Sequence, residues 1–73
     1  MKISIREIPA NDPSARWFWC ILRWRDGPTH YENGILPGTE NGSWYNARCG
    51  YKGTPEEAFA AALKAYREEE KNG

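Results

Sequence analysis

The side chains that most often perform catalysis or bind metals are scarce in this chain. His30 is the single histidine, and no nucleophile or orienting acid stands at a recognisable spacing from it. Cys20 and Cys49 are isolated cysteines without a CxxC pattern, and one histidine cannot complete a four-ligand zinc site with them. We therefore predict a protein without enzymatic activity, bound metal or cofactor.

Both cysteines fall on strand faces that the sequence predicts to be buried. Free thiols in buried positions are common in proteins that carry no secretion signal, so we expect Cys20 and Cys49 to be free. A cross-sheet disulfide between them is the alternative.

Tryptophan and arginine are concentrated in two segments that read as strands. The segment from Arg16 to Arg25 is rich in aromatic and β-favouring residues, and the segment from Ser43 to Tyr51 is the other. Alternation along the first segment gives one uniformly apolar face, which we predict to lie under a helix: Phe18, Cys20, Leu22 and Trp24. The opposite face carries Trp17, Trp19, Ile21, Arg23 and Arg25.

The same alternation in the second segment sends Trp44, Asn46 and Arg48 to that opposite surface. One helix can cover only one face of a three- or four-stranded sheet, so we expect the other face to be open. Tryptophan and arginine are enriched at binding hot spots, which makes this surface the predicted partner-binding site. Its residues are Trp17, Trp19, Ile21, Arg23, Arg25, Trp44 and Arg48. Coverage of these rings by the N-terminal segment or by the loop from Leu36 to Ser43 is the alternative.

The elements that must position these side chains are four strands and one helix. Lys2 to Ile8 alternates apolar and polar residues and ends at Pro9, which predicts an edge strand. Thr29 to Leu36 reads as a third strand, interrupted at Asn33-Gly34. The sequence thus predicts an α+β fold, a βββα or ββββα two-layer sandwich with an antiparallel sheet.

The helix is predicted from Pro55 to about Glu70. Thr54 and Glu57 form a capping box, and proline suits the first helical position because it has no N–H to lose. An apolar stripe at i, i+3, i+4 and i+7 is expected to face the core: Phe59, Ala62, Leu63 and Tyr66. We expect the acidic run from Glu68 to Glu70 to fray, because carboxylates are disfavoured near a helix C-terminus.

The length and the net charge of the chain further limit the functions that we expect. The 73 residues form one small domain, 1–73, and the formal net charge is zero, which argues against a partner held mainly by phosphate contacts. No run of 18 or more apolar residues occurs, and the N-terminal segment lacks a signal-peptide core, so we expect a cytoplasmic protein without a membrane partner.

The last third of the chain carries two resemblances. A run of small residues resembles the final strand and helix of double-stranded RNA-binding domains: Ala47, Cys49, Gly50, Gly53, Thr54, Ala58, Ala61, Ala62 and Leu63. That family places lysines at the helix start, where this chain has Pro55, Glu56 and Glu57, so RNA binding does not carry over. The stretch from Trp44 to Ala65 is also similar to the tail of small phage and prophage proteins of the ABA-sandwich type. That resemblance implies a phage-borne accessory protein that binds, and inhibits, a host protein.

We therefore expect a non-enzymatic binding protein of the host cytoplasm whose tryptophan and arginine face contacts a host protein. One alternative is a nucleic-acid-binding module that uses the same face, because aromatic rings flanked by arginines suit base stacking. Another is a homodimer in which two copies pair through this face.

Overall fold

The computed structural model describes residues 1–72 and contains a three-stranded antiparallel sheet, a small hairpin and one helix. The sheet is built from β1 (Lys2–Glu7), β2 (Trp17–Asp26) and β5 (Gly42–Lys52), in the order β1-β2-β5. The hairpin pairs β3 (His30–Tyr31) with β4 (Gly34–Ile35). A short 3₁₀ turn (Pro13–Ala15) precedes β2, and the helix α1 (Pro55–Asn72) follows β5. The predicted α+β fold is confirmed.

The predicted third strand is instead two short strands outside the main sheet. The chain turns at Glu32 and Asn33 and pairs Tyr31 with Gly34, so the segment reverses on itself after two residues. The position of β1 at the sheet edge agrees with the prediction, and the structure shows that its neighbour is β2.

The helix begins as its capping residues predict but extends further. The Glu57 N–H donates to Thr54 Oγ1 at 3.2 Å, and this hydroxyl lies 3.1 Å from Glu57 Oε1, to which it donates. Helical structure continues to Asn72, so the predicted fraying of the acidic run is wrong. Two carboxylates of this acidic run form ion pairs with arginines of the sheet. The nitrogen–oxygen distance is 2.8 Å between Arg48 and Glu68 and 2.9 Å between Arg23 and Glu69.

Alanines rather than large side chains form the buried stripe of α1. Ala58, Ala62 and Ala65 are almost fully buried, whereas Phe59 is 51% exposed. The prediction that Phe59 faces the core is therefore wrong. Small side chains let the helix lie close to the sheet, and the volume between the layers is filled from the sheet side.

The helix covers the face of β2 that the sequence analysis predicted to be open. Trp19 is 8% exposed and Ile21 is fully buried, and both pack with the alanines of α1. Ile3 and Ile5 lie opposite Ile21 and Trp19 in the register of β1 and β2, and they pack against the same core. The first half of β2 is apolar on both faces, so alternation alone could not tell which face the helix covers. The isoleucines of β1 and the narrow alanine stripe decide it.

A β-bulge also changes the direction of side chains in β5. The register shifts between Ile21 and Leu22: Arg48 pairs with Ile21, whereas Asn46 pairs with Leu22. Ala47 is the extra residue, so Arg48 points to the helix side and Trp44 to the other. The prediction that Trp44, Asn46 and Arg48 share one face is wrong, because the bulge interrupts the period of two.

Candidate binding face

Among residues 1–72, no helix or second sheet packs on the sheet face opposite α1, and we call it the open face. Strand alternation and the observed register assign it three residues of β1, four of β2 and four of β5. They are Lys2, Ser4 and Arg6; Phe18, Cys20, Leu22 and Trp24; and Trp44, Asn46, Cys49 and Tyr51.

Two aromatic pairs stand on the open face, one towards each end of β2. The rings of Phe18 and Tyr51 lie 5.2 Å apart and are tilted, and those of Trp24 and Trp44 lie 5.5 Å apart in an edge-to-face arrangement. Cross-strand aromatic pairs of this kind stabilise a sheet beyond their buried area. Tyr51 nevertheless remains 56% exposed, and the two tryptophans remain 45% and 42% exposed.

Cations from the edge strand β1 lie against these rings. Lys2 Nζ is 4.2 Å from the centroid of the Trp44 ring, and Arg6 Cζ is 5.4 Å from that of Phe18. Both distances allow cation–π attraction. At the end of β2, Asp26 Oδ1 accepts a hydrogen bond from Trp24 Nε1 at 2.7 Å. The open face is therefore aromatic with a mildly positive edge along β1.

A shallow depression occupies the middle of the open face, between the aromatic pairs. Its volume is about 220 Å³, and its lining is Ser4, Arg6, Phe18, Cys20, Leu22 and Asn46. Hydroxyl, guanidinium and amide groups therefore stand beside apolar surface in this depression.

The two cysteines face each other across β2 and β5 on the open face. Cys20 pairs directly with Cys49, and both thiols are free. Cys20 is buried, as predicted, but Cys49 is exposed, so the prediction is wrong for Cys49. Partial burial raises the pKa of the Cys49 thiol, and the neighbouring Cys20 thiol raises it further.

Most of the predicted site residues are not part of the open face. Trp17, Trp19 and Ile21 belong to the core or pack against it, and Arg23 and Arg48 bind the acidic end of α1. Arg25 is exposed on the helix side, where its guanidinium carbon lies 5.1 Å from the centroid of the Tyr45 ring. Trp44 is the one predicted residue that the structure places on the open face.

Five residues of the open face were not predicted to belong to an exposed binding surface. They are Lys2, Arg6, Phe18, Trp24 and Tyr51. A signal for the correct assignment lies in β1, where Lys2 and Arg6 alternate with Ile3 and Ile5. The isoleucines must face the core, so the lysine and arginine mark the exposed side. Using that signal requires the register between β1 and β2, which the sequence leaves open.

Other kinds of site have less support. Within residues 1–72, no three His, Cys, Asp or Glu side chains are grouped closely enough to hold a metal ion. His30 is exposed in the small hairpin. In the same range, no helix combines the length and the apolar character needed to cross a membrane.

Comparison with protein-family models, curated proteins and solved structures finds no match to this chain. These comparisons do not assign a family, and they do not bear on the two resemblances described above.

Proposed function

We propose that this chain is a non-enzymatic binding protein whose open face contacts a protein partner. The observation that carries the proposal is the exposure of Trp24, Trp44 and Tyr51 together on one sheet face, at 42–56% each. A domain this small gains from burying every ring it has, and tryptophan and tyrosine are the residues most enriched at binding hot spots. If the resemblance to phage accessory proteins holds, the partner is a host protein.

The chemistry of the open face defines the partner surface that fits it. Lys2 and Arg6 give the β1 edge two positive charges. Asp26, at the far end of β2, accepts a hydrogen bond from Trp24. The complementary surface is therefore apolar towards its two ends, where it meets the aromatic pairs, and acidic along the edge that meets β1. The strands have 6, 10 and 11 residues, so the open face is about 14 Å wide and about 34 Å long at β2, or about 480 Å². This area is below the roughly 800 Å² per partner of a standard interface and fits a small, transient one.

Single-stranded nucleic acid is the second candidate, and one observation favours it. Lys2 and Arg6 stack against aromatic rings, so each end of the open face pairs a cation with a π surface, as base and phosphate binding requires. The zero net charge and the small number of cations on this face favour the protein partner.

A site-specific photo-crosslinker distinguishes the candidates. Benzoylphenylalanine would replace Trp44 on the open face and, as the matched control, Phe59 on the outer side of α1, which is similarly exposed. Each variant would be irradiated in the source cell, and its adducts would be compared with and without nuclease. The Trp44 variant would also be irradiated after Trp24→Ala and Lys2→Ala substitutions, which remove its neighbours.

We expect a nuclease-resistant protein adduct from position 44, no such adduct from position 59, and loss of the adduct when Trp24 and Lys2 are replaced. A nuclease-sensitive adduct would support the nucleic-acid candidate instead. An adduct of twice the chain mass would identify a homodimer. Equal labelling from both positions, or none from position 44, would overturn the proposal.

A further inference from the structure

The pairing of Cys20 with Cys49 carries an inference that does not depend on what the open face binds. We propose that these two residues form a cross-strand dithiol site that low-molecular-weight disulfides of the glutathione class oxidise to an intramolecular disulfide. The site lies at the centre of the open face, between the two aromatic pairs.

The strand register is compatible with this bond. Directly paired residues in an antiparallel sheet have Cα atoms about 4.5–5.5 Å apart, and disulfides join Cα atoms about 4.4–6.8 Å apart. Cys20 and Cys49 are such a pair, and both project to the same face.

The different exposure of the two thiols sets the order of the reaction. Cys49 is exposed and Cys20 is only 5% exposed, so the oxidant meets Cys49 first. The Cys49 thiolate attacks one sulfur of the small disulfide, forms a mixed disulfide and releases one thiolate. The Cys20 thiolate then attacks the Cys49 sulfur and displaces the second thiolate. Two protein thiols are oxidised, one small disulfide is reduced to two thiols, and the two protons pass to those products.

The product would join β2 to β5 within two residues of the β-bulge that follows Ile21. It would also remove the thiol that Cys49 exposes between the aromatic pairs. Oxidation of this pair would therefore change the chemistry of the open face while leaving the sheet register intact.

Mass spectrometry of the intact protein tests the proposal. Reduced native protein would be incubated with oxidised glutathione, quenched with acid and measured without reductant. We expect the wild type to lose the mass of two hydrogens and to remain a monomer. Circular dichroism before the reaction would verify that each variant described next is folded.

Two matched serine variants test the order of attack. Cys20→Ser keeps the exposed thiol without its partner, so we expect it to accumulate a mixed disulfide with glutathione. Cys49→Ser keeps only the buried thiol, and we expect at least a tenfold slower reaction. The proposal would be overturned if the wild type stops at the mixed disulfide, forms intermolecular disulfides or reacts only after unfolding in urea. Equal reaction rates in the two serine variants would also overturn it.

Discussion

At the scale of single residues, Trp19 and Gly50 explain how the core accommodates a large ring. The two residues face each other across β2 and β5, and a Cβ at Gly50 would lie 2.6 Å from Trp19 Nε1. Because Gly50 has no side chain, it leaves room for the indole ring of Trp19. Within residues 1–72, buried Trp19 Nε1 has no hydrogen-bond partner, which costs free energy that its apolar packing must offset.

Replacement of single tryptophans distinguishes core rings from rings of the open face. We expect Trp19→Ala to lower the free energy of unfolding by about 3–5 kcal/mol, because it removes a buried ring and leaves a cavity. Trp24→Ala is the matched control, and we expect it to cost about 1 kcal/mol, chiefly its edge-to-face contact with Trp44. Urea unfolding followed by far-ultraviolet circular dichroism measures both. Equal losses would contradict the assignment of the two faces.

At the scale of elements, the last turns of α1 are attached to the sheet by two arginines in different surroundings. Arg23 donates from Nε and from a terminal nitrogen to the Glu69 carboxylate, and the same terminal nitrogen donates to the Glu69 carbonyl oxygen at 3.1 Å. Arg48 makes one contact with Glu68, and both of those side chains are more than 40% exposed. A cation at a helix C-terminus also interacts favourably with the helix dipole.

Arg23→Gln therefore tests what holds the helix end. We expect it to lower the free energy of unfolding by about 1–2 kcal/mol, because charge-assisted hydrogen bonds to a half-buried carboxylate and a helix carbonyl are lost. Arg48→Gln is the control and should have a much smaller effect, since exposed ion pairs contribute little. Hydrogen exchange of residues 66–71 provides the local measurement. Faster exchange after Arg48→Gln than after Arg23→Gln would contradict this view.

At the scale of the whole molecule, the core is thin: the alanines of α1 pack against Trp19, Ile21 and the isoleucines of β1. The buried apolar set is small: Trp19, Cys20, Ile21, Ala58, Ala62 and Ala65. Because α1 covers one sheet face only, the tryptophans divide into a core pair, Trp17 and Trp19, and an open-face pair, Trp24 and Trp44. This division gives the molecule both its stability and its candidate binding surface.

Collisional quenching of tryptophan fluorescence measures that division directly. The double variant Trp17→Phe, Trp19→Phe retains the two open-face tryptophans, and Trp24→Phe, Trp44→Phe retains the two on the helix side. We expect acrylamide to quench the first variant more strongly, because its indoles are 42–45% exposed, whereas Trp19 is 8% exposed and Trp17 is partly buried. Stronger quenching of the second variant would mean that the open face is the one predicted from sequence.

The amino-acid sequence determined the local elements of this protein. Thr54, Pro55 and Glu57 specify the helix start, β-favouring residues specify β2, and Pro9 ends the edge strand near its predicted limit. These features depend on neighbours in the chain, so they could be predicted from the sequence. Trp44 was predicted to share a face with Trp19 and Ile21, and it lies on the open face only because the bulge reverses its direction relative to Arg48.

Only the tertiary structure decided which face of the sheet is covered. Phe18 to Leu22 is apolar on both sides, so the alternation in β2 is equally compatible with either orientation. The choice depends on the register that sets Ile3 and Ile5 beside Ile21 and Trp19, and on the acidic end of α1 that binds Arg23 and Arg48. The bulge at Ala47, which separates Trp44 from Arg48, likewise arises from strand pairing. Contacts between residues distant in the chain therefore created the open face.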